Sequence, residues 1–259
     1  FASSFNDYSG SDSGNNPTYV YKKDTNDGTW SINATFTKST YSDLGNAFSA
    51  DVDMNYAGDM MVFCDDYETG DNAWIYKNIS GTWTKMGNSI DTDILKPSSC
   101  CINKEGNIVG FGSDYFGGSG LLNDGIEIYE YSKALTETDG AWTRIFKSVA
   151  DIVNGSDTFS TRVRDHGLTM NGAGDMILAM SEYAPTTGST IYRKVNDAWS
   201  RTNYFLQNEI TYSAAITTDN NFYMVSVDDP NVEYFELNTS SQPNEMVVPG
   251  NITIIDSSI

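Results

Sequence analysis

Apolar and polar residues alternate in short runs along this chain, with the period expected of β-strands. Between positions 48 and 54 every second residue is apolar and the residues between them are Ser or Asp, as in a strand with one buried face. Residues 60–64 are apolar without interruption, as in a strand that is covered on both faces. Residues 73–76 and 82–83 form two further aromatic runs, and turn residues separate all four. The pattern predicts a four-stranded antiparallel meander over residues 48–83.

The four-strand pattern recurs along the whole chain. Each copy has a second strand that follows Asp or Asn, and these residues are Asp59, Asn107, Asp175 and Asn221. In three copies the preceding turn has the form Asn-x-x-Gly, at residues 55–58, 103–106 and 171–174. Four of the five tryptophans open a fourth strand, namely Trp30, Trp83, Trp142 and Trp199. Repetition of a four-stranded unit of roughly 40 to 65 residues is typical of a β-propeller.

We therefore predict an all-β protein, a five-bladed β-propeller of four-stranded antiparallel blades in a single domain over residues 1–259. The predicted blades are 1–35 together with 250–259, 46–90, 97–148, 165–205 and 211–249. The first blade lacks an innermost strand, because residues 1–8 match a second strand, whereas a surplus strand follows the last blade at residues 251–256. We expect this C-terminal strand to complete the N-terminal blade, since ring closure removes exposed sheet edges.

The repeated turn, apolar strand, acidic-aromatic pair and Gly-Thr-Trp turn resemble FG-GAP-type repeats. Such repeats form the propellers of integrin α-subunits and occur in secreted bacterial, algal and viral proteins. The resemblance covers nearly the whole chain and implies calcium loops of the form Asp-x-Asp-x-Asp-Gly-x-x-Asp. No intact loop of this form occurs in the sequence. The nearest match lacks the central glycine and supplies the candidate calcium ligands Asp51, Asp53, Asn55 and Asp59. No other cofactor is expected.

The chain is strongly acidic, with 35 Asp and Glu residues against 15 Lys and Arg residues and a formal net charge of −20. This balance argues against a nucleic-acid partner or an anionic membrane surface, which require basic patches. No apolar run approaches the roughly 18 residues of a membrane span, so no membrane insertion is expected. The chain begins at Phe1 without Met, so we expect that an upstream segment has been removed or omitted. Few cysteines and many Asn, Ser, Thr and Tyr residues favour an extracellular, cell-surface or virion-surface location.

An acidic residue ends the second strand of every predicted blade: Asp7, Asp66, Asp114, Glu182 and Asp228. Tyrosine follows in four blades, at Tyr8, Tyr67, Tyr115 and Tyr183. A ring of carboxylates suits a hard cation or a hydroxyl-rich ligand, and the tyrosines suit stacking on sugars. Alternatively, each carboxylate accepts backbone N–H groups of its own turn, and each tyrosine packs between blades.

Three stretches depart most from the repeat, at residues 9–18, 116–125 and 146–165. Turns after the second strand and connections between blades fall on the same face of a meander ring, so we expect one long-loop face. Leu121 and Leu122 lie inside a glycine-rich turn and are candidate contact anchors. The alternative is that both leucines fold back on their blade.

The three cysteines allow two interpretations. Cys100 and Cys101 are adjacent on a predicted strand, so their side chains point to opposite faces. Either thiol could approach Cys64 in the neighbouring blade and form a disulfide; the alternative is that all three are buried free thiols.

Support for catalysis is thin in the sequence, and no catalytic residue is predicted. His166 is the only histidine, and it lies in a predicted loop. A Ser-His-Asp system or a histidine metal site could therefore use histidine at this one position only. Glycosidases use a pair of carboxylates, and no single pair stands out here. We predict a non-catalytic extracellular or surface propeller that mediates adhesion, recognition or assembly through its long-loop face. Its partner would be a protein or a glycan, and it would be a domain or subunit of a larger assembly. The alternative is a glycan-binding lectin or a glycoside-active enzyme that uses the acidic face.

Overall fold

A computed structural model describes most of the strands and many of the turns. The described residues are 2–3, 17–37, 51–65, 73–94, 97–113, 125–149, 151–153, 156–159, 163–181, 189–206, 211–216, 222–227, 232–238 and 245–252. All regular secondary structure in these ranges is β-strand. No helix that could span a bilayer is found in them.

The described strands form five antiparallel sheets and one hairpin. Sheet 1 contains β1 (Ala2–Ser3), β2 (Thr18–Lys23) and β3 (Trp30–Phe36). Sheet 2 contains β4 (Asp51–Met54), β5 (Met60–Cys64), β6 (Ala73–Ile79) and β7 (Thr82–Lys85). Sheet 3 contains β8 (Pro97–Ile102), β9 (Ile108–Ser113), β10 (Gly125–Tyr131) and β11 (Trp142–Val149). The hairpin contains β12 (Asp151–Val153) and β13 (Ser156–Phe159). Sheet 4 contains β14 (Val163–Met170), β15 (Met176–Ser181), β16 (Ser189–Val195) and β17 (Ala198–Leu206). Sheet 5 contains β18 (Thr211–Ile216), β19 (Phe222–Val227), β20 (Val232–Asn238) and β21 (Glu245–Ile252).

The prediction of an all-β chain built from four-stranded antiparallel sheets is confirmed. Sheets 2 to 5 each contain four strands in chain order, so each is a meander. Residues 60–64 are buried along their whole length, as their uninterrupted apolar pattern predicts. Trp30 and Trp142 begin β3 and β11, and Trp83 and Trp199 are the second residues of β7 and β17.

The four-stranded sheets share one register at one end. The first residue of the first strand pairs with the last residue of the second strand in each sheet; the pairs are Asp51 with Cys64, Pro97 with Ser113, Val163 with Ser181, and Thr211 with Val227. We call this end of each sheet the upper edge and the opposite end the lower edge. Because strands alternate in direction, the fourth strand of each of these sheets ends at the upper edge, where the first strand of the next sheet begins.

A buried asparagine organises the lower-edge turn in three sheets. The Oδ1 atom of Asn103 accepts hydrogen bonds from the backbone N–H groups of Gly106 and Ile108, at 2.9 and 3.0 Å. Asn55 and Asn171 accept a similar pair of bonds, from the backbone N–H groups four and five residues further on. The glycine three residues after each asparagine has a positive φ of 71°, 90° or 74°, which only glycine adopts without strain. This geometry explains the repeated Asn-x-x-Gly motif.

Successive turns also contact one another across the sheets. A Cβ atom at Gly106 would collide with the Met60 Sδ atom of sheet 2, and one at Gly174 would lie 2.8 Å from the Ile108 Cδ1 atom of sheet 3. The backbone N–H of Lys104 donates to the carbonyl of Gly172 at 3.1 Å. The positive φ favours glycine at these positions, and a side chain there would also require the ends of the Met60 and Ile108 side chains to move.

Three apolar cores lie between successive sheets. The first joins Val20 and Phe36 of sheet 1 to aromatic residues of sheet 2. The second joins sheet 2 to sheet 3 around Val62 and Phe111, and the third joins sheet 3 to sheet 4 around Ile128 and Ile177. Each interior sheet thus has both faces covered, which is the packing of propeller blades.

The cysteines are free and buried. Cys100 faces sheet 2 in the same core as Cys64, whereas Cys101 faces sheet 4. The opposite orientations of the two adjacent thiols are as the strand pattern predicts, and burial raises the pKa of all three thiols.

Two loop predictions are wrong in detail. The predicted connection at residues 146–165 is largely strand, because β11 continues to Val149 and the hairpin β12–β13 follows. His166, predicted to lie in this loop, is on β14. These strands are short, bulged or polar, so their residues lack the alternation that identifies a strand from sequence.

The first residues of the predicted closing strand belong to sheet 5 instead, because β21 extends to Ile252. Asn251 and Ile252, the first residues of the predicted closing strand, pair with Glu233 and Val232 of β20 in sheet 5. Pro249 and Gly250 do not break this strand because β21 is at the edge of its sheet and carries a bulge, where proline is tolerated. Residues 253–256 lie outside the described residues, so closure by a strand there stays a prediction.

Candidate functional site

The upper edge is where the sequence places most of its candidate ligand-binding residues. Those residues lie outside the described ranges: they are Asp7, Asp66, Tyr67, Asp114, Tyr115, Leu121, Leu122, Glu182, Tyr183 and Asp228. Four of the acidic residues follow the described ends of β5, β9, β15 and β19 by one or two positions. The strand ends that precede these acidic residues share one register in four sheets.

Asp51 is the first residue of β4 and bridges two sheets at the upper edge. Its Oδ2 atom accepts hydrogen bonds from the Ser99 hydroxyl at 3.2 Å and from the Cys100 backbone N–H at 3.0 Å. The Ser99 Oγ atom in turn accepts the backbone N–H of Leu168 at 2.9 Å. One carboxylate and one hydroxyl therefore link the innermost strands of sheets 2, 3 and 4.

Asp53 makes the next bridge along the same strand. Its Oδ2 atom accepts the backbone N–H of Ile102 at 3.0 Å, and its Oδ1 atom accepts that of Met54 at 2.8 Å. Burial raises the pKa of Asp53 to about 6, and the two backbone hydrogen bonds oppose this shift.

The four candidate calcium ligands do not form one group. Asp51 and Asp53 point to sheet 3, whereas Asn55 and Asp59 belong to the lower-edge turn, where the Asn55 Nδ2 atom donates to the Asp59 Oδ1 atom at 2.8 Å. The described residues contain no group of three or more His, Cys, Asp or Glu side chains suited to a metal ion. Asp51, Asp53 and Asn55 accept backbone N–H groups instead, and the Asp59 carboxylate lies 3.8 Å from the Lys77 ammonium group.

A buried charge cluster near the upper edge was missed by the sequence analysis. Glu127 on β10 is fully buried. Its Oε1 atom lies 3.0 Å from Arg144 and 3.4 Å from Lys147, both on β11. Its Oε2 atom accepts the Tyr129 hydroxyl at 2.8 Å and the backbone N–H of Asp93 at 3.2 Å.

This cluster holds the connection between sheets 2 and 3 against sheet 3. The Asp93 carboxylate binds Arg144 directly and lies 3.4 Å from Lys147. Hydrogen bonding to Arg144 lowers the pKa of Asp93, and the same bond raises the pKa of Arg144. Burial and the neighbouring Glu127 raise the pKa of Tyr129. All oxygen atoms of Glu127 have partners within the protein, so this carboxylate is placed to hold the connection and not to act as an accessible base.

Ser99 and Glu127 carry weak signals in the sequence. Both stand within apolar strands, where alternation alone would place a polar residue on a solvated face. The one available signal for Glu127 is the pair of cations on β11: Lys147 pairs directly with Glu127, and Arg144 pairs with Tyr129, two residues further along β10.

Comparison with known proteins establishes the fold. No family model and no curated protein matches the chain, so the FG-GAP-type resemblance is confined to its short motifs. Solved structures do match. A periplasmic gluconolactonase from Pseudomonas aeruginosa is 11% identical with a TM-score of 0.60, over 96% of this chain and 67% of that one.

Two further structures give the same picture. A protein from Bacteroides fragilis that is provisionally named a 6-phosphogluconolactonase is 13% identical with a TM-score of 0.57, over 91% of this chain and 64% of that one. A protein of unknown function from Desulfotomaculum acetoxidans is 12% identical with a TM-score of 0.58, over 91% of this chain and 66% of that one. The chain thus spans about two thirds of the length of the structures it matches. At this identity the similarity shows the fold alone, which is β-propeller-like.

These neighbours correct the functional prediction. The two that carry the name of an activity are lactonases, which contradicts the prediction of a non-catalytic propeller for adhesion, recognition or assembly. The prediction that the chain is not an enzyme and the assignment to structural or virion proteins are corrected with it. The alternative prediction of a glycoside-active enzyme is closer to these neighbours.

Proposed function

We propose that this protein hydrolyses lactones of sugar acids at the upper edge of its sheets. The observation that carries the proposal is the fold similarity to two lactonases over 91 to 96% of the chain. The acidic residues that follow the second strands provide carboxylates at equivalent positions of separate sheets. Because such residues converge only when the sheets surround one axis, the proposal includes a closed ring of five sheets.

The chemistry requires one base and one water molecule. Water attacks the lactone carbonyl carbon, the ring C–O bond breaks, and the product is the open-chain hydroxy acid. A carboxylate is suited to accept the proton of the attacking water, which contributes about 10²- to 10⁴-fold to rate in positioned systems. We assign this role to one of Asp66, Asp114, Glu182 and Asp228.

The charge of the protein favours an uncharged substrate. A net charge of −20 repels a phosphate ester more strongly than a neutral lactone, and such fields change association rates by roughly tenfold or more. We therefore expect kcat/KM to be higher for an unphosphorylated sugar lactone than for its 6-phosphate. By analogy with the periplasmic neighbour, we also propose a secreted or periplasmic location.

The test is acid release from gluconolactone by the purified chain, measured in a pH-stat after subtraction of spontaneous hydrolysis. We expect turnover above background, and a loss of about 100-fold or more in kcat for one of Asp66→Asn, Asp114→Asn, Glu182→Gln and Asp228→Asn. The matched control is Asp139→Asn, a surface carboxylate paired with Lys133 in the lower-edge turn between β10 and β11. No turnover with any sugar lactone, or equal activity in all four variants, contradicts the proposal.

A further inference from the structure

Two of the three buried thiols lie in the interface between sheets 2 and 3, one on each side. Cys64 is the last residue of β5, and Cys100 lies on β8. Both belong to the apolar core that joins these sheets. The Cys100 Sγ atom lies 3.8 Å from the carbonyl oxygen of Val62, so this thiol contacts the strand that carries Cys64. Because Val62 and Cys64 are two residues apart on β5, their side chains share the face that Cys100 contacts.

The two sheets come close together at this point. Asp51 is the register partner of Cys64, and its carboxylate accepts the backbone N–H of Cys100 at 3.0 Å. A single aspartate side chain therefore spans the gap between β4 and β8. Disulfides join Cα atoms that are about 4.4 to 6.8 Å apart, so they suit interfaces as narrow as this one. Burial raises the pKa of both thiols, and hydrogen bonding between them lowers the pKa of Cys64 and raises that of Cys100.

The third thiol belongs to a different interface. Cys101 follows Cys100 on β8, so its side chain points to the opposite face, into the core between sheets 3 and 4. A Cβ atom at Gly110 would lie 2.9 Å from the Cys101 Sγ atom, so this thiol packs on the backbone of its own sheet. Since sheet 3 lies between Cys101 and Cys64, the backbone geometry favours the pairing of Cys64 with Cys100.

The repeat itself does not require thiols at these positions. At the next interface, the residues equivalent to Cys64 and Cys100 are Gly112 and Leu168. Leu168 is buried in the core between sheets 3 and 4. An aliphatic side chain on one sheet and a glycine on the other therefore fill this place without sulfur. The pair of cysteines between sheets 2 and 3 adds a chemistry that packing alone does not demand.

We propose that Cys64 and Cys100 form a disulfide that joins sheets 2 and 3, whereas Cys101 stays a free thiol. The structure shows the reduced form of the pair. Oxidation removes two electrons and two protons from the two thiols and forms one S–S bond. The oxidant is itself a disulfide, either that of a thiol-disulfide oxidoreductase or glutathione disulfide. One cysteine thiolate attacks it to give a mixed disulfide, and the other displaces the carrier, which leaves with both electrons as thiols.

The burial of the pair determines when the bond forms. Neither thiol is accessible in the folded chain, and the thiolate, which is the reacting form, is disfavoured by burial. The exchange therefore takes place during folding, before sheets 2 and 3 close on each other. Disulfides form and persist in secreted and periplasmic proteins, which is the location proposed above. The bond concerns one interface, so it can hold or fail independently of lactone hydrolysis.

The first experiment counts free thiols after folding. The full chain is unfolded and reduced, refolded in a buffer of glutathione and glutathione disulfide, and then alkylated in denaturant for intact-mass measurement. We expect one alkylated cysteine per monomer, and three when refolding takes place in dithiothreitol. Three alkylated cysteines after refolding with glutathione disulfide, or glutathione adducts in place of an internal bond, would overturn the proposal.

A matched pair of variants identifies the partner of Cys64. Cys101→Ala should form the internal disulfide and leave no cysteine to alkylate, whereas Cys100→Ala should keep two free thiols. An internal bond in Cys100→Ala that forms as completely as in Cys101→Ala would show that Cys101 pairs with Cys64, contrary to the proposal. If Cys100→Ala does not fold, fragmentation of the cross-linked peptide from the wild-type chain gives the same assignment.

The melting temperature tests the effect of the bond on the interface. A disulfide between residues 64 and 100 restricts the unfolded chain and stabilises the folded one. Dithiothreitol present throughout refolding should therefore lower the melting temperature of the wild-type protein and of Cys101→Ala by several degrees. It should leave that of Cys100→Ala unchanged. Equal melting temperatures of the oxidised and reduced wild-type protein would contradict a bond that holds sheets 2 and 3 together.

Discussion

Individual polar residues in this protein act mainly across sheet boundaries. Asp51, Asp53 and Ser99 use side-chain oxygens to accept backbone N–H groups of the next sheet. Such bonds hold innermost strands that make no ladder with each other. The sequence shows these residues as the polar half of an alternating strand, and this pattern cannot distinguish a solvated face from a face on a neighbouring sheet. Their structural role was therefore not predicted.

Asp53 should make stability depend on pH in the acid range. Burial raises the pKa of its carboxyl group from 3.8 to about 6 in the folded chain. The folded chain therefore binds this proton more tightly, and the resulting stabilisation is complete below pH 3.8 and is lost as pH rises through 6. A shift of this size corresponds to roughly 3 kcal/mol. Relative to Asp53→Asn, the wild-type protein should lose stability in thermal melts between pH 4 and pH 6.5; a constant difference over this range would contradict the assignment.

Among the structural elements, the lower-edge turn is the one that the sequence predicts best. Its requirements are local: an asparagine that accepts two N–H groups and a glycine with positive φ, separated by two residues. Local requirements of this kind leave a motif. The hairpin β12–β13 and the charge cluster around Glu127 leave no such motif. The hairpin strands are too short to show a period, and the partners of Glu127 are distant in sequence.

Removing the turn asparagine should destabilise the fold markedly. Asn103→Ala leaves the N–H groups of Gly106 and Ile108 without their acceptor in a buried turn, and two such losses correspond to about 2 to 4 kcal/mol. Asn78→Ala is the matched control, because Asn78 accepts one N–H, that of Gly81, in an exposed turn at 2.9 Å. Its expected effect is below about 1 kcal/mol. Urea unfolding of both variants measures the two values, and similar losses would be inconsistent with the burial of the Asn103 turn.

At the scale of the whole molecule, the sequence indicates the repeated fold but does not indicate the function. The repeat period identifies blades because each one must bury both faces on its neighbours. The proposed function depends instead on one carboxylate among several, and a repeat supplies an acidic residue in every predicted blade without marking any of them. The charge of −20 argues against a nucleic-acid partner, but it is equally compatible with a surface module and with an enzyme for neutral substrates.

This charge should also govern the response of the protein to ions. We propose that calcium, the candidate cofactor, binds among the acidic residues that follow the second strands. Millimolar calcium should then raise the melting temperature more than magnesium does, and more than sodium chloride of matched ionic strength. Screening alone has a modest effect because exposed charges interact over a Debye length of about 8 Å at physiological ionic strength. Equal shifts with all three salts would leave screening as the whole effect and remove the calcium site.

The contact between a turn glycine and the preceding sheet bears on how such a chain grows by gene duplication. Gly106 leaves room for Met60, and Gly174 leaves room for Ile108. The turn of each unit therefore leaves space for a side chain of the unit before it. Copying a whole unit carries both the glycine and the large residue that follows it, and every junction is preserved. A crossover at equivalent positions of two units also leaves a glycine opposite each of these side chains, because the contact joins one unit to the next. Insertion or loss of one unit length of sequence is therefore expected to preserve this contact at every junction.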